Sequence, residues 1–455
     1  MRKTIITTTL LLAAVCSASA QQPVTKGGGI SPEMLGEISK GYAGTASDKA
    51  IRNALNTASV AVLTENAANM AMPETEFSDR VKTQGITNQR SSGRCWLFTG
   101  LNVLRAQAIT EHDLGNFQFS QSYLFFYDLL EKSNLFLQGI IDTREKPMTD
   151  REVDCLFANP ISDGGTWTGV ANLVMKYGVV PANAMPESYC ANNTSGWTSH
   201  LKTLLRQDGL KLREGKKSAK ELRAMKTEML AEVYHILGLT IGVPPETFEF
   251  KGETYTPKSF YDKYVGADLN NNYVMLMNDP SREYYKTYEI QYDRHVYDGH
   301  NWKYVNLPIE RIKEMAIASI KADRAMYFSC DVAKFLNRKK GVADLANFDY
   351  ESLFGVEFTM DKTQRILTHA SGSSHAMTLI AVNVTEDGKT DRWMVENSWG
   401  ADSGYKGNII MTDEWFDNYM FRLVVEKRFV PADVLKLSEE KPILLPIWDP
   451  MFLDE

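Results

Sequence analysis

The chain has 455 residues, of which 44% are hydrophobic and 24% charged, so it can bury a substantial core and is neither a disordered tail nor a coiled coil. Fifty lysines and arginines against 57 aspartates and glutamates give a formal charge of −7. This acidic balance argues against a general nucleic-acid binder. The length allows about three domains, or one catalytic domain with long insertions, and we favour the second organisation.

The first 20 residues carry the pattern of an export signal. Arg2 and Lys3 precede an apolar stretch from Ile5 to Val15 that is too short to span a bilayer, and Ala18-Ser19-Ala20 supplies small residues for cleavage. We predict that residues 1–20 are a signal peptide and that the mature protein is periplasmic or secreted. No later stretch of about 20 apolar residues predicts a membrane span.

Four cysteines remain after the predicted cleavage, namely Cys95, Cys155, Cys190 and Cys330. Four cysteines allow three pairings, and one disulfide between Cys155 and Cys190 stays open as an alternative. The fifth, Cys16, suggests a lipid anchor only weakly because the residues before it lack the usual leucine. The cysteines form no C-x-x-C pair and no histidines cluster beside them, so we expect no zinc site. We also expect no cofactor, because the reaction predicted below needs none.

Helical patterns dominate the first two thirds of the chain. Residues 31–72 alternate alanine and leucine with polar residues, which predicts either a removable pro-region or a helical arm of the mature fold. After Cys95, apolar residues recur at spacings of four, three and four, so a helix should begin there. Ser218 and Glu221 form a capping box that predicts a second helix, which Gly238 can end.

Two further stretches each allow a binding interpretation and a structural one. The lysines and arginines of residues 211–226 are interrupted by glutamates, which favours a solvated helix face over an anion site. The tyrosines of residues 255–304 favour strand and interface packing over base stacking, because the background is not basic.

The last third of the chain predicts β structure. His375 opens an apolar strand, Asp387-Gly388 marks a turn, and a second strand runs to Asn397. An antiparallel hairpin of this kind would place His375 and Asn397 near the same end of the sheet.

These residues supply the parts of a thiolate mechanism, which needs a lowered thiol pKa, a nearby base and donors for the oxyanion. The helix start favours the Cys95 thiolate, His375 is the candidate base, and Asn397 could orient the imidazole. Trp399 could cover that hydrogen bond and line the substrate site. Gln89, six residues before Cys95, could share the oxyanion with the Cys95 backbone N–H.

Each residue alone has a structural interpretation, since a buried cysteine is usually inert and an asparagine in a turn usually caps its own backbone. The compound pattern favours chemistry. Asn88 to Phe98, Ser374-His375-Ala376-Met377 and residues 395–400 (VENSWG) resemble the papain-like cysteine peptidases, specifically the bleomycin hydrolase and bacterial aminopeptidase C branch. The resemblance extends to four more segments, DGG at 163–165, KYGVVP at 176–181, DEWF at 413–416 and WDPM at 448–451.

The resemblance implies an α+β, papain-like, two-lobed fold with a large helical and hook-like insertion. Cys95 and His375 lie 280 positions apart, whereas the papain-type spacing is about 130–150 residues. We therefore divide the chain into an N-terminal arm, a helix-rich catalytic lobe, an insertion that would assemble a homohexamer, a β-rich catalytic lobe and a C-terminal segment reaching the cleft. Their predicted ranges are 21–75, 76–190, 191–345, 346–435 and 436–455.

By the same resemblance, Cys95 is the nucleophile, His375 the general acid and base, Asn397 its orienting partner and Gln89 the oxyanion donor. Gly164 and Gly165 match the segment that holds extended substrate backbone, where a side chain would crowd the peptide.

The resemblance further implies that the C-terminal carboxylate meets the free amine of a peptide substrate. Here the end is Phe452-Leu453-Asp454-Glu455 in place of small residues, so Glu455 is a candidate substrate-binding residue and cleavage length is in question. The expected activity is removal of N-terminal residues from short peptides. An endopeptidase, a thioester-forming transpeptidase and a non-catalytic binding assembly are the alternatives.

Overall fold

The computed structural model describes residues 25–451, so the predicted signal peptide and residues 452–455 lie outside the described part. The chain divides into two compact units, residues 1–64 and residues 65–455. Three helices form the described part of the first unit, α1 (Pro32–Ser39), α2 (Ala46–Leu55) and α3 (Val60–Leu63). The helical character predicted for this stretch is confirmed.

The second unit combines many helices with one large sheet. Its helices are α4 (Cys95–His112), α5 (Gln121–Asp142), α6 (Arg151–Ala158), α7 (Trp167–Tyr177), α8 (Tyr189–Asn192), α9 (Ser195–Arg213), α10 (Ala219–Thr240), α11 (Pro257–Tyr264), α12 (Ile309–Lys321), α13 (Tyr350–Phe354), α14 (Lys362–Leu367), α15 (Asp413–Tyr419) and α16 (Ala432–Glu439). None of the helices within residues 25–451 has the length and apolar character that a membrane crossing requires.

Most of its strands are short, and the longest is β10, which begins the predicted hairpin. They are β1 (Asp79–Arg80), β2 (Phe248–Phe250), β3 (Glu253–Tyr255), β4 (Tyr273–Met277), β5 (Lys286–Ile290), β6 (Lys303–Asn306), β7 (Met326–Cys330), β8 (Leu336–Asn337), β9 (Val342–Ala343), β10 (His375–Val384), β11 (Thr390–Glu396), β12 (Asn408–Thr412), β13 (Met420–Glu426) and β14 (Ile443–Leu445).

The long sheet is mainly antiparallel and has the strand order β14-β5-β6-β4-β13-β7-β10-β11-β12-β9-β8. Strand β10 pairs antiparallel with β11 on one side and with β7 on the other, with His375 opposite Cys330. The predicted hairpin is therefore confirmed. Because the two strands run in opposite directions, the first residue of β10 and the residue after β11 lie at the same end of the sheet.

The β-rich lobe begins earlier in the chain than the predicted boundary at residue 346. Strands β4 to β7, within residues 273–330, pair into the same sheet as β10 and β13. Only the first part of the stretch assigned to the insertion, residues 191–345, is predominantly helical, with α9, α10 and α11. Strand β4 is a short continuous apolar run, which sequence periodicity alone does not distinguish from a buried helix segment.

Two apolar cores support the two kinds of structure. One lies among the helices and includes Trp96, Phe125 and Trp167, while the other lies on the sheet and includes Trp393 and Phe416. Helix α5 is the centre of the helical part, since α4, α7, α9 and α10 all pack against it.

Helix α10 has the predicted capping box at Ser218 and Glu221, but the expectation that Gly238 ends it is wrong. The backbone N–H of Ile241 donates to the carbonyl of Leu237 at 2.8 Å, so the hydrogen-bond ladder passes the glycine. Leu237 and Ile241 are both buried, and their packing outweighs the modest helix penalty of one glycine.

The open alternative of a disulfide between Cys155 and Cys190 is also settled. Both side chains are free thiols at half-buried positions.

Candidate active site

Cys95 is the first residue of helix α4 and is only 2% exposed. Helix α4 packs against β10, the strand that His375 begins. The residue before it, Arg94, is fixed by a bidentate ion pair with Glu187 at 3.1 and 2.7 Å. The predicted helix start is confirmed, and it places the thiol where unpaired backbone N–H groups favour an anion.

His375 and Asn397 are joined directly. The distance between His375 Nε2 and Asn397 Oδ1 is 2.8 Å, and both side chains are buried. The Ser398 backbone N–H donates to the same Asn397 oxygen at 2.8 Å. Because an amide oxygen only accepts, the contact implies that Nε2 carries a proton, which leaves Nδ1 as the second functional nitrogen of the ring.

Trp399 packs against the His375 ring. Its ring lies 4.9 Å from the His375 ring, tilted by 30°. The Arg338 guanidinium lies over the indole at 4.9 Å. The tryptophan is therefore half-buried and lies between the His375 ring and the Arg338 guanidinium.

Gln89 is held beside this pair by hydrogen bonds that orient its side-chain amide. Its Oε1 accepts from Ser398 Oγ at 2.6 Å, and its Nε2 donates to the Ser92 carbonyl at 2.7 Å. Its backbone N–H donates to the Ser398 carbonyl at 2.8 Å. One amide N–H therefore remains for another acceptor, and the loop before Cys95 is tied directly to the residue that follows Asn397.

The segment 163–165 is tied to the loop that precedes Cys95. The Gly93 N–H donates to Asp163 Oδ2 at 2.6 Å, and the Trp96 indole N–H donates to the Asp163 carbonyl at 2.7 Å. Burial opposes ionisation of this carboxyl, but hydrogen bonds from Thr194 and the Gly93 N–H outweigh it and hold the pKa of Asp163 below its ordinary value. Asp163 is therefore a half-buried carboxylate that joins the two segments.

Gly165 is required for a different reason from the one we expected. A Cβ at this position would lie 2.2 Å from His295 Cε1 and 2.8 Å from Trp96 Cδ2. The space that a side chain would need is thus filled by the protein's own interior and not by a peptide in the cleft.

A cavity of about 340 Å³ borders Gly164 and Gly165. Its wall contains apolar side chains of α5 and α6 together with Ile447 and Trp448 from the C-terminal segment. The described lining of this cavity includes neither Cys95 nor His375, so the cavity adjoins Gly164 and Gly165 without reaching those two side chains. Glu455, the other candidate residue of this region, lies outside the described residues.

Sequence reasoning missed several residues of this region. Ser398 was part of the motif but had no assigned role, although it orients Gln89. Asp128, Lys132 and His295 form a buried cluster beside Gly165. An i,i+4 charge pair within the otherwise apolar helix α5 was the signal that could have indicated the first two.

Comparison with known proteins identifies the family. The model of the Peptidase C1-like family matches residues 29–452. Aminopeptidase C of Lactococcus lactis subsp. lactis is 37% identical over 437 residues, which cover 93% of this chain and 99% of that protein. Human bleomycin hydrolase is 40% identical over 398 residues, covering 82% and 88%.

A solved structure gives the same result. The crystal structure of PepW from Lactobacillus rhamnosis has a TM-score of 0.88 and 33% identity, and covers 93% of this chain and 99% of that one. The predicted α+β, papain-like fold is confirmed. The chain therefore belongs to the Peptidase C1-like family, within the aminopeptidase C and bleomycin hydrolase group, and is a cysteine peptidase.

Proposed function

We propose that the protein is an exported aminopeptidase that removes N-terminal residues from short peptides by a Cys-His-Asn thiolate mechanism. The observation that carries the proposal is the 2.8 Å hydrogen bond between His375 and Asn397, made at the start of a strand against which the Cys95 helix packs. This is the arrangement of base and orienting group that a thiolate nucleophile needs.

The reaction proceeds through an acyl-enzyme. The Cys95 thiolate attacks the carbonyl carbon of the first peptide bond, and the oxygen that becomes negative is bound by the free N–H of Gln89 and the Cys95 backbone N–H. His375 Nδ1 gives its proton to the leaving amine as the C–N bond breaks. A water molecule, deprotonated by His375, then attacks the thioester, releasing the amino acid and restoring the thiolate–imidazolium pair.

Asn397 orients the imidazole without adding a charge. A carboxylate here would stabilise the imidazolium and make the proton harder to donate. The amide fixes the ring through Nε2 and is itself fixed by the Ser398 N–H. Together with Trp399 over the ring, it keeps Nδ1 directed towards the reacting atoms.

The proposed preference for a free N-terminus depends on the end of the chain. Two hydrogen bonds anchor the described part of the C-terminal segment. Arg282 donates to Asp449 Oδ2, and Arg422 donates to the Met451 carbonyl, both at 2.5 Å. Trp448 lines the same cavity as the glycine segment. We propose that the four following residues carry the carboxylates of Asp454 and Glu455 to the substrate's α-ammonium.

Export and assembly complete the proposal. Export rests on the signal-peptide pattern of residues 1–20, and a homohexamer is implied by the resemblance. A light-scattering mass about six times that of one chain would support the assembly, and a mass near 51.3 kDa would refute it. Because the nucleophile is a thiolate, activity should require reduced Cys95, and the predicted compartment is an oxidising one.

The test is cleavage of one short fluorogenic peptide offered with a free and with an acetylated N-terminus under reducing conditions. Cys95→Ala should abolish cleavage, and acetylation should abolish it in the wild type. A chain ending at Met451 should cleave both peptides, whereas the double variant Asp142→Asn, Glu145→Gln, which removes two carboxylates from other positions, should keep the preference for the free amine.

Each contrary outcome refutes a separate part. Equal cleavage of both peptides by the wild type would retain the cysteine chemistry but refute the aminopeptidase, and would favour an endopeptidase. Persistent activity of Cys95→Ala would refute the mechanism. Transfer to an added amine in place of water would identify a transpeptidase, and no cleavage of any peptide would favour a binding assembly.

A further inference from the structure

A buried charged cluster lies directly beside the glycine segment and has no part in the mechanism above. It consists of Asp128 and Lys132 on helix α5 and His295 in the loop between β5 and β6, and we call it the Lys132 cluster. Their exposed fractions are 0%, 8% and 4%. Burying an ammonium and a carboxylate destabilises the fold unless every donor and acceptor is matched. The contacts of the cluster therefore indicate its role.

Lys132 uses its three N–H donors on three oxygen atoms. Its Nζ donates to Asp128 Oδ2 at 2.9 Å, to the Ser162 carbonyl at 2.8 Å and to the Gly164 carbonyl at 2.6 Å. A lysine ammonium has three donors and no acceptor. Lys132 is therefore fully engaged, and two of its three bonds hold the backbone on either side of Asp163.

Trp96 holds the carbonyl between these two, that of Asp163, through its indole N–H. Three successive carbonyls, of residues 162 to 164, thus accept from buried side chains of the protein interior. Hydrogen bonds of this kind, in a site of low dielectric, fix the rotation of the peptide planes. Hydrogen bonds from Lys132 and Trp96 therefore fix the backbone orientation of residues 162–164.

His295 supports Lys132 from the other side of Asp128. Its Nδ1 lies 2.5 Å from Asp128 Oδ1, and its ring contacts Trp96 edge-on at 4.6 Å. Burial, together with the positive charge of Lys132, lowers the pKa of His295 below its ordinary value. A neutral imidazole leaves one positive and one negative charge in the cluster, which therefore carries no net charge.

The same imidazole packs against the glycine backbone. A Cβ on Gly165 or on Gly169 would lie 2.2 or 2.4 Å from His295 Cε1. The glycine segment is thus held by hydrogen bonds to its carbonyls and by close packing behind Gly165, and both contacts involve the Lys132 cluster.

We propose that Lys132 is a positioning residue for substrate binding, which holds the carbonyls of Ser162 and Gly164 inward and so presents the backbone of Gly164 and Gly165 to the substrate. The inference rests on the proposed function in one respect, namely that this segment receives the substrate's backbone. Asp128 and His295 act through Lys132, because they hold its ammonium in place.

The test compares two reagents that react with the same thiol. Leucyl chloromethyl ketone, offered with a free and with an acetylated amine, forms the S–C bond with loss of chloride and must bind in the cleft. Iodoacetamide forms the equivalent bond with loss of iodide and is too small to require the glycine segment. The ratio of the two second-order rate constants for Cys95 therefore measures substrate positioning separately from thiol reactivity.

Lys132→Met should lower this ratio about 10- to 100-fold, as expected for the loss of two charge-assisted hydrogen bonds, with the iodoacetamide rate changed less than about twofold. Lys132→Arg should restore part of the ratio. Lys176→Met is the matched control, because Lys176 is a half-exposed lysine that pairs with Glu131 and Asp298 and not with the glycine segment.

An unchanged ratio in folded Lys132→Met would overturn the proposal, as would an equal loss of both rates. If that variant does not fold, Lys132→Gln decides, since a ratio equal to that of Lys176→Met would refute the role. This outcome is independent of the aminopeptidase proposal. Equal rates for the free and the acetylated chloromethyl ketone would refute the aminopeptidase proposal, and the ratio of the chloromethyl ketone rate to the iodoacetamide rate would still report on Lys132.

Discussion

Gln89 provides the sharpest prediction for catalysis. Replacing it with alanine removes the N–H that we assign to the oxyanion, and removing one such donor in a preorganised site typically costs about 2.7–4 kcal/mol, a factor of about 10²–10³ in kcat. Gln89 is a preorganised donor because two side-chain hydrogen bonds fix its amide before substrate binds. Its Oε1 accepts from Ser398 Oγ, and its Nε2 donates to the Ser92 carbonyl.

Two companion variants separate the donor from its support. Gln89→Glu keeps the shape but replaces the donor with a negative charge, so it should be at least as slow as Gln89→Ala. Ser398→Ala retains the donor and loses only the 2.6 Å bond that orients it, which should cost about 0.5–1.5 kcal/mol, or roughly 2- to 12-fold.

The assay is steady-state cleavage of the fluorogenic peptide, with the active fraction counted by titration of Cys95 in each variant. KM should change little, because the oxyanion interaction forms mainly in the transition state. A kcat for Gln89→Ala within about threefold of wild type would refute the role of Gln89 as oxyanion donor. A loss confined to KM would contradict the expectation that this interaction forms mainly in the transition state.

Three further predictions concern stability. Arg105→Met should destabilise the fold by about 3–5 kcal/mol in chemical denaturation, because it leaves Glu396 buried without its ion partner at 2.5 Å; a loss below about 1 kcal/mol would contradict this. Burial lowers the pKa of His295 in the folded protein. As pH falls below about 6.5, the ordinary pKa of histidine, the unfolded chain therefore protonates this imidazole before the folded protein does. The free energy of unfolding should then decline by up to about 1.4 kcal/mol per pH unit. His295→Asn should flatten that part of the profile, and identical profiles would refute the link. Gly165→Ala should lower the free energy of unfolding by about 1–3 kcal/mol through overpacking. Gly196→Ala is the control, because nothing lies within 4 Å of an added Cβ there, and it should be neutral or stabilising. Equal effects of the two substitutions would contradict the overpacking at Gly165.

Local signals in the sequence were sufficient to predict the elements that carry Cys95, His375 and Asn397. The apolar spacing after Cys95 predicts the helix start, and the Asp387-Gly388 turn between two apolar runs predicts the hairpin that brings His375 and Asn397 together. Both depend on neighbours in the chain, for which periodicity and turn chemistry are informative.

The supporting contacts could not be predicted in this way. Asp128 and Lys132 are close on helix α5, but His295 lies 163 positions after Lys132 in the sequence, and only the tertiary fold brings it to Asp128. The need for glycine at 165 likewise follows from His295, which no local pattern connects with it. Strand β4 joins the main sheet although its sequence was assigned to an insertion, because pairing partners are set by the tertiary fold.

The central claim is that Cys95 reacts as a thiolate paired with His375, and the pH dependence of Cys95 alkylation by iodoacetamide tests it most directly. Identification of the modified peptide by mass spectrometry assigns the rate to Cys95 and separates it from Cys155, Cys190 and Cys330. In the wild type, alkylation should stay fast at pH values well below the ordinary thiol pKa of about 8.5, and in His375→Ala it should follow an ordinary thiol titration. A wild-type profile that rises only near pH 8.5, or one that His375→Ala leaves unchanged, would contradict the account.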